Sequence, residues 1–516
     1  MKKLFPILLL FLFLVPFTFN LYAQGDPLLR LEIETKSDAA TYKVESCGEA
    51  GLALFYETTL KQDVYKFWVF VLYNKFMQET WKKDVPIFDN MTYRKDLVKD
   101  NFLFVLFYNS DKRKSEQYNC QVLKINLTDG MYELFSGLLP ENSQVVAFDT
   151  FNENMVVGLN VQEKYSALYT MNTLSKETKP LFNVEDFESQ FVSLMEDTAK
   201  NSLFAIFNIY ESRTVYYMLI KEFNADLSEI NAFKLVPQDE RKFNSAKLTT
   251  VSENEYMVIG TYDFVKKGTV SSNDYFSKTA SGFYSAKIFG SSVVSAKYFN
   301  FLELENMTGY LRSKEYHQAK KKADKDEDEV DKYSVDFDLL LHDIVFRDSL
   351  YYFVAEAFYE EYHTVTSTYY DYYGHAVPVS YAVFDGYKYF NAFISCFDLD
   401  GNKIWDNGME IFNILTFKLE NRVSVLFEED EIIMAYNREG KIGAKIIRGP
   451  DVVEGVEYYP LETTFVNDKV MEDTKSNMEY WYDNYFIAYG FQTIKNNSLV
   501  DGSKRTVFYI NKVAFK

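Results

Sequence analysis

The segment KNSLFAIF at residues 200–207 places a polar turn directly before a run of apolar residues, and this pattern decides the fold. Asn is favoured in tight turns, and Leu, Phe and Ile in a short run are typical of a buried β-strand. The pattern recurs along the chain. Its copies are DNFLFVLFY from residue 100, ENMVVGL from 153, ENEYMVIG from 253, RDSLYYFVA from 347, EDEIIMAY from 429, YDNYFIAYG from 482 and a weaker copy, EAGLALFY, from 49.

The copies are regularly spaced, most of them about fifty residues apart, and the two longer intervals each contain an insertion. A second pair of strands joined by a tight turn follows each apolar run. In CQVLKINLTDGMYELF from residue 120 and AFISCFDLDGNKIW from 392, Asp-Gly supplies that turn. A strand before the Asn or Asp turn, one after it and a hairpin make four antiparallel strands per unit. This period and strand number predict a β-propeller.

We therefore expect an all-β protein, a β-propeller of about seven four-stranded blades, within a range of six to eight. A set of β-sandwich domains is the alternative, but it requires linkers rich in Pro, Gly or Ser, and none is evident. Residues 25–516 are expected to form a single domain. The last unit lacks one strand, and we expect the run LLRLEIETK at residues 28–36 to supply it and close the ring.

One blade hairpin carries a family resemblance. The segment FDLDGNKIWDN at residues 397–407 resembles the outer hairpin of a blade in exported bacterial β-propeller repeat proteins, in the style of pyrroloquinoline-quinone-type repeats. The resemblance covers most of residues 28–516. It implies the fold and no activity, and it transfers no site residue. A quinone-dependent dehydrogenase is disfavoured because the four Trp do not recur at a fixed repeat position, so no cofactor is expected.

The N-terminus has the pattern of an export signal. Lys2 and Lys3 precede an apolar run, and Ala23 offers a small residue for cleavage, so residues 1–24 are expected to be a signal peptide. An uncleaved N-terminal anchor is the alternative. No later segment reaches the length of about 20 apolar residues that a membrane span requires. We expect a protein of the periplasm, the outer cell surface or the exterior.

The acidic balance limits the choice of partner. A formal net charge of −20 argues against a nucleic-acid partner, because phosphate binding requires clustered Lys and Arg. A protein or a glycan is the expected partner, and the protein itself is expected to be a monomer. The charge run within residues 310–333 is expected to be a solvated linker, with calcium binding by Asp324, Asp326 and Asp328 as the alternative.

Residues with catalytic or metal-binding chemistry are sparse. Cys47, Cys120 and Cys396 have no metal-ligand spacing, so we expect three small buried apolar residues and no metal site. His342 lies in a strand-like run and is expected to be a hydrogen-bonded core residue. The segment Asp398–Asn402 is interpreted as a hairpin turn rather than a calcium loop. Catalytic residues remain unknown, since no recognised catalytic motif is present.

The insertions indicate where function lies. In an antiparallel blade alternate loops emerge at opposite edges, so the insertions at residues 264–281, 310–333 and 360–389 are expected on one face. The 360–389 segment is rich in Tyr, whose rings suit stacking on sugars or packing against a protein. The predicted ligand- or partner-binding residues are Tyr369, Tyr370, Tyr372, Tyr373, His375 and Tyr387. The alternatives are a hairpin whose tyrosines pair across strands, and a metal site formed by His363, His375 and a carboxylate.

The favoured hypothesis is a non-catalytic binding or scaffold protein of the cell envelope or exterior, because catalytic motifs are lacking and one face is rich in loops. The alternative is a carbohydrate-active propeller enzyme, a hydrolase or lyase. Such an enzyme predicts paired carboxylates that converge at the central channel.

Overall fold

Each apolar run that follows an Asn or Asp turn forms the second strand of an antiparallel sheet. The computed structural model describes residues 29–515, apart from 39–40, 112–116, 266–269, 271–274, 276, 278, 305–320, 322–336, 371 and 499–503. Within those residues the chain forms eight sheets, each of which is one blade of a β-propeller. The expected signal peptide, residues 1–24, lies outside the described residues.

The strands of a blade are called A to D from the centre of the ring outward. The strand β1 (Arg30–Glu34) precedes the first blade along the chain. Blade 1 contains β2 (Lys43–Ser46), β3 (Leu52–Gln62), β4 (Tyr65–Tyr73) and β5 (Glu79–Phe88). Blade 2 contains β6 (Thr92–Lys99), β7 (Phe102–Tyr108), β8 (Cys120–Asn126) and β9 (Tyr132–Gly137). Blade 3 contains β10 (Ser143–Phe151), β11 (Asn154–Val161), β12 (Tyr165–Asn172) and β13 (Thr178–Val184). Blade 4 contains β14 (Glu188–Asp197), β15 (Ser202–Tyr210), β16 (Tyr216–Phe223) and β17 (Glu229–Leu235).

The second half of the ring is less regular. Blade 5 contains β18 (Arg241–Ser252), β19 (Glu255–Phe264), β21 (Gly282–Phe289) and β22 (Ser292–Asn300), with β20 (Thr279–Ala280) added to blade 6. Blade 6 contains β23 (Phe337–Leu341), β24 (Val345–Arg347), β25 (Leu350–Tyr370), β26 (Ala376–Phe397) and β27 (Lys403–Thr416). Blade 7 contains β28 (Ser424–Glu428), β29 (Glu431–Arg438), β30 (Lys441–Arg448) and β31 (Asp451–Pro460). Blade 8 contains β32 (Lys469–Tyr482), β33 (Tyr485–Lys495) and β34 (Lys504–Ala514), to which β1 is added.

Apolar cores lie between neighbouring blades, which explains why the B strands are apolar on both faces. The strand β15 is buried along its whole length. Eight buried clusters each join the facing sides of two successive blades, including the pair formed by blades 8 and 1. In the first of these clusters the rings of Trp68 and Phe107 are 5.1 Å apart. Each blade is therefore held mainly by its two neighbours.

The structure has eight blades, which is the upper end of the range of six to eight that the sequence predicted. The blade beyond the central value of seven is blade 1, which corresponds to the weak copy of the repeat. Its A–B connection is not an Asn or Asp turn but a 3₁₀ turn, Gly48–Ala50, followed by Gly51. Gly51 has φ +130°, and a Cβ there would lie 2.0 Å from the carbonyl oxygen of Tyr73. Because Gly replaces the Asn or Asp of the other copies, the repeat is hard to detect in the sequence.

The N-terminal strand closes the ring, as predicted. The strand β1 pairs antiparallel with β34 and becomes the outermost strand of blade 8. Side chains fix the register, since Arg30 donates to Asn511 Oδ1 and Gln492 Oε1, both at 2.8 Å. Across the junction with blade 1, Trp481 Nε1 donates to the Gly51 carbonyl oxygen at 2.8 Å. The closing blade therefore has its full set of four strands.

The two faces of the ring differ as expected from strand order. The repeated Asn and Asp turns join strands A and B, and in two of them both central residues have positive φ, Asp100 and Asn101 in blade 2 and Asp348 and Ser349 in blade 6. The C–D hairpins emerge at the same edge. One of them is the turn Asp398–Asn402, where Asp398 Oδ1 accepts the N–H groups of Asp400 and Asn402. The B–C and D–A connections form the opposite face, which is called the long-loop face below.

All three cysteines are free and buried, which confirms the prediction. Burial raises the pKa of the Cys120 and Cys396 thiols to about 12, and it raises the pKa of Cys47 further. In the part of the chain that the structure describes, no helix is long and apolar enough to cross a membrane.

Candidate functional site

Two of the three insertions lie at least partly within the described residues. Residues 264–281 connect β19 to β21, and residues 360–389 belong to the connection between β25 and β26. Both are B–C connections of successive blades, so they emerge on the long-loop face. The insertion at 310–333, with Asp324, Asp326 and Asp328, lies outside the described residues except at position 321. Its position relative to the other two stays a prediction.

The 360–389 segment is a hairpin, the alternative left open by the sequence. The strand β25 pairs with β23 as far as Phe358, and β26 pairs with β27 as far as Tyr387. Beyond those points residues 360–370 and 376–386 pair, within the described residues, only with each other. Residues 360–386 are called the arm. At about 3.4 Å per residue the arm projects roughly 35 Å from blade 6.

A bulge marks the base of the arm. The register shifts between Glu361 and Tyr362, which leaves Asp385 as an extra residue in β26. Gly386 has φ +137°, and a Cβ there would lie 2.8 Å from the Thr416 carbonyl oxygen. Asp385 Oδ1 lies 2.6 Å from His363 Nδ1. The bulge ends pairing with β27 and redirects the ribbon away from the blade.

The arm has two chemically different faces. Paired residues on antiparallel strands share a face, and neighbours along a strand alternate between faces. One face carries Thr364, Thr366, Thr368, Pro378, Ser380 and Ala382, and the other carries Val365, Tyr369, Val377, Val379, Tyr381 and Val383. From residue 364 to 384 the only formal charge is that of Asp371 at the turn. The arm is therefore an almost uncharged ribbon on a strongly acidic protein.

Five of the six predicted binding residues meet at the tip of the arm. Tyr369 and Tyr370 end β25, and the side chains of Tyr370, Tyr372 and Tyr373 are 72%, 97% and 81% exposed. The rings of Tyr372 and Tyr373 have centroids 5.5 Å apart, and His375 lies 6.3 Å from Tyr373. These rings are not used by the fold of the propeller.

Tyr387 lies at the opposite end of the arm. It is half-buried, and its ring lies 5.7 Å from that of Phe358 and 5.2 Å from that of Phe384. Phe384 also approaches Phe417, which is 72% exposed, at 6.1 Å. We call the aromatic group at this end the base patch, formed by Tyr362, Phe384 and Phe417. Tyr387 supports the base patch from beneath and is separated from the other five predicted residues by the length of the ribbon.

The geometry does not bring His363 and His375 together. His363 pairs with Val383 near the base, and His375 directly precedes β26 at the tip. At about 3.4 Å per residue their Cα atoms are more than 20 Å apart, so one ion cannot bridge them. No group of three or more His, Cys, Asp or Glu in the described residues has the geometry to hold a metal ion.

A second cluster, which sequence reasoning did not find, lies in the central channel. The A strands of neighbouring blades contact each other, as β6 does with β2 and β10, and so form the channel wall. Three carboxylates from successive A strands face this space, Glu45 on β2, Asp96 on β6 and Glu479 on β32. Tyr93 Oη donates to Asp96 Oδ1 at 2.6 Å, and Tyr489 Oη donates to Glu479 Oε1. These three carboxylates are called the channel carboxylates.

Burial raises the pKa of all three channel carboxylates. Burial, with the charge of Asp96 as a further cause, raises the pKa of Glu479 to about 8. Burial likewise raises the pKa of Glu45 well above its usual range and raises that of Asp96, although Tyr93 and Lys43 oppose the shift at Asp96. Burial and the charge of Lys418 lower the pKa of Lys43 to about 8. The surrounding protein thus disfavours both signs of charge.

A cavity of about 440 Å³ opens beside β10, β14 and β18. Its charged side chains are largely paired with each other. Lys247 Nζ lies 2.5 Å from Asp343 Oδ1, and Lys99 contacts Glu196 and lies 3.8 Å from Asp149. Lys247 lowers the pKa of Asp343, whereas burial raises that of Asp149. The charges here balance each other across blades that are distant in sequence.

His342 is hydrogen-bonded, as the sequence predicted, but it lies in the connection between β23 and β24 and is half-buried rather than in the core. Its Nε2 lies 2.7 Å from Oε1 of Glu356, a fully buried side chain. The Glu356 carboxylate also accepts the backbone N–H groups of Arg422 and Val423, at 2.9 and 3.0 Å. Glu356 therefore fixes the D–A connection between blades 6 and 7 to the inner part of blade 6.

One signal in the sequence would have revealed the channel cluster. Asp96, Glu196 and Glu479 each lie a few positions before a repeat turn, in segments that otherwise read as strands. A charged residue at that point of several repeats indicates an inner strand that faces a channel rather than a neighbouring sheet. Its partners come from distant blades, so no spacing rule identifies them.

Comparison with known proteins shows no family for the chain. No family model and no curated protein matches it. Among solved structures, it is similar to the polysaccharide lyase Uly1, with 9% identity, 94% of this chain and 99% of that chain covered, and a TM-score of 0.37. An eukaryotic initiation factor gives 10% identity, 93% and 90% coverage and a TM-score of 0.40. Saccharomyces cerevisiae Sqt1 gives 10% identity, 92% and 99% coverage and a TM-score of 0.38. These scores carry no functional argument. The sheets themselves define the chain as an eight-bladed β-propeller, and the resemblance to pyrroloquinoline-quinone-type blades stays a prediction.

Proposed function

We propose that the protein is a non-catalytic binding or scaffold protein that uses the arm to contact its partner. The observation that carries the proposal is the tip, where Tyr370, Tyr372 and Tyr373 are highly exposed on an uncharged ribbon. Exposed aromatic side chains have large contact areas and lose little conformational entropy when they bind. A projecting ribbon that placed these rings in water without a partner would only add a risk of aggregation.

The chemistry of the tip favours a neutral partner surface. The arm has no cluster of Lys or Arg, so it offers nothing to an anionic ligand. Tyr rings with a polar Oη bind either the faces of neutral sugars or the apolar parts of a protein surface. The pattern of residues 1–24 supports a location outside the cytoplasm, in the periplasm, on the outer cell surface or in the exterior.

Replacement of the tip tyrosines tests this function. Immobilised protein carrying Tyr369→Ser, Tyr370→Ser, Tyr372→Ser and Tyr373→Ser is compared with wild type for capture from a cell-envelope extract and on an array of neutral glycans. Wild type is expected to retain a ligand that the variant does not. The captured ligand is then purified and titrated against both proteins, with an expected loss of affinity of at least tenfold. Retention of the ligand by the variant would contradict the proposal.

A matched control replaces exposed aromatics at the opposite face. Phe76, Tyr132 and Phe289 lie at or next to C–D hairpins and are 58%, 38% and 60% exposed. Their combined replacement by Ser removes exposed aromatic rings from the opposite face but leaves the arm intact, so ligand capture should be unchanged. Melting temperatures of both variants should match wild type, because none of these side chains is part of an inter-blade core.

A carbohydrate-active enzyme is the second candidate, and the channel carboxylates favour it. Glycoside chemistry uses one carboxyl that is protonated and one that is ionised near neutral pH. Glu479, whose pKa is raised to about 8, supplies the protonated carboxyl, and Asp96, which accepts the Tyr93 hydrogen bond, is a second carboxyl from another blade. The test is activity on a panel of soluble polysaccharides, which Glu479→Gln should reduce at least a hundredfold. No turnover by wild type on the panel would remove this candidate in favour of binding.

A further inference from the structure

The arm has one strand edge that is free of protective residues. Natural proteins protect exposed strand edges with Pro, Lys or a covering element, because unpaired N–H and C=O groups attract another strand. Along β26 the arm contains Pro378. Along β25, residues 362–370 contain neither Pro nor Lys, and Thr, Val and Tyr predominate, which are residues that favour strands. The two edges therefore differ in their capacity to accept a strand.

The pairing of Pro378 shows which backbone groups of β25 face outward. Pro378 lies opposite Thr368 and has no N–H, so it fits the ladder only at a position whose nitrogen points away from the partner strand. In such a pair the N–H and C=O groups of the opposite residue also point outward. Because the pattern repeats every second residue, Thr364, Thr366 and Thr368 present their backbone groups to the free edge of β25.

Two exposed aromatic groups lie at the two ends of this edge. The tip carries Tyr370, Tyr372 and Tyr373, and the base of β25 carries Tyr362, whose side chain is 52% exposed and whose ring lies 5.4 Å from that of Phe384. The ribbon between them is uncharged. When a two-fold axis relates two paired arms, the tip of each arm lies beside the base of the other. One symmetric contact therefore covers both aromatic groups and the free edge together.

We propose that the protein forms a two-fold symmetric dimer in which the free β25 edges of two arms pair antiparallel about Thr366. This pairing places Thr368 of each copy opposite Thr364 of the other, and Tyr370 opposite Tyr362. All of these side chains share one face of the arm, as antiparallel pairing requires. The result is a four-stranded sheet with β25 strands at its centre and the edges that contain Pro378 on its outside. The inference rests on the proposed role of the arm as a contact element, and it replaces the expectation of a monomer.

The charge distribution favours a second copy at the arm over other surfaces. The formal net charge of −20 makes two copies repel each other over most of their surfaces. From residue 364 to 370 the edge strand has no formal charge, so two arms can approach without opposing carboxylates. A two-stranded hairpin is only marginally stable alone in water, and two additional strands stabilise the arm of each copy.

Sedimentation velocity and light scattering of the full chain at a series of concentrations test the proposal. Wild type is expected to show twice the mass of one chain. Thr366→Pro removes an outward N–H of the β25 edge and should yield a monomer. Ser380→Pro is the matched control, because Ser380 faces Thr366 across the ribbon and its own N–H points to the other edge. It should remain a dimer. Equal melting temperatures of the two variants establish that both propellers are folded.

A cysteine at the two-fold axis gives a second readout. Thr366→Cys should form an inter-chain disulfide under mild oxidation, since directly paired residues have Cα atoms about 5.5 Å apart. Ser380→Cys should not. The native cysteines give no background because all three are buried.

A wild-type protein that is monomeric at every concentration overturns the proposal. This outcome includes the case in which the β25 edge pairs with a strand of another protein instead of a second copy. Dissociation of both proline variants, or of Ser380→Pro alone, also overturns the assignment of the β25 edge. The tip variant separates this inference from the proposed function. Loss of ligand capture in a monomeric protein would leave the proposed function standing without the dimer. Intact ligand capture by the tip variant of a dimeric protein would contradict the proposed function and leave the dimer standing.

Discussion

The arm exposes tyrosines to water, whereas the channel encloses carboxylates within the ring. Both depart from the usual relation between chemistry and burial, in which aromatic rings are covered and charges are solvated. The arm makes no inter-blade contact beyond its base, so its rings contribute little to the stability of the propeller. The channel carboxylates lie on the innermost strands of three blades. Their pKa values are raised in the folded protein, so their protonation is linked to folding. The proposed contact site and the carboxylates that are linked to stability therefore lie in different parts of the protein, and substitutions can separate their effects.

The largest expected loss of unfolding free energy follows from replacement of Glu356, which lies inside the ring, and it is compared with a replacement in the arm. Glu356→Ala removes the acceptor of the Arg422 and Val423 N–H groups and the partner of His342. Unsatisfied buried donors cost about 1–3 kcal/mol each, so the variant should lose roughly 3 kcal/mol or more of unfolding free energy. Denaturant titration measures this loss. Glu361→Gln at the base of the arm is the control and should change stability by less than about 1 kcal/mol, because its ion pair with Lys388 is partly exposed. Equal losses in the two variants would contradict the comparison.

An intermediate effect is expected from Glu479 as the pH changes. Its pKa is raised from the ordinary value of 4.5 to about 8 in the folded protein, so the folded state binds more protons than the unfolded state between these values. Stability is then complete at low pH and falls as the pH rises from about 5 toward 8. Wild type should lose up to a few kcal/mol of unfolding free energy over that window, at about 1.4 kcal/mol per unit of pKa shift.

Glu479→Gln should flatten this dependence. Glutamine has the shape of the protonated carboxyl and does not ionise, so denaturant titrations at pH 5 and pH 7.5 should differ less in the variant than in wild type. Lys43 does not interfere with this window, because its pKa of about 8 leaves it protonated in both states at lower pH. A steeper pH dependence in the variant would show that the carboxyl is ionised throughout.

The fold was largely predictable because its cause is local. Each Asn or Asp turn precedes an apolar run that must be buried on both faces, and this repeat predicted the four-stranded antiparallel units and the closing role of β1. The number of blades was not predictable with the same accuracy. Gly51 replaces the polar turn of blade 1, and the intervals that contain the 264–281 and 360–389 insertions obscure the period.

The candidate sites were predictable to different degrees. Proximity in sequence was enough to group Tyr369 to His375, because a hairpin tip brings together residues that are consecutive. Tyr387 was grouped with them because it belongs to the same tyrosine-rich segment, but the antiparallel pairing of the two strands places it at the base of the arm. The channel carboxylates Glu45, Asp96 and Glu479 come from three blades, and only closure of the ring brings them together. No local pattern reports such proximity.

The smallest effect is expected from removal of the arm. Replacement of residues 362–385 by Asn-Gly joins Glu361 to Gly386, which are paired in the structure, through a two-residue hairpin turn. The melting temperature should stay within about 2 °C of wild type, since surface changes are usually worth less than about 0.5 kcal/mol. Differential scanning calorimetry measures the shift. A large decrease would show that the base patch is part of the core of blade 6.

Closure of the ring by β1 determines when the protein becomes fully folded. Arg30 on β1 bonds to Asn511 on β34, a separation of 481 residues, so the last blade cannot be completed before almost the entire chain has been synthesised. Until then β34 has a bare edge, and the apolar sides of blades 1 and 8 are uncovered. Contacts of such high sequence separation form late and slowly, because the entropy of loop closure must be overcome first. During its synthesis the protein therefore passes through an open-ring intermediate that is more prone to aggregate than either the nascent blades or the finished ring.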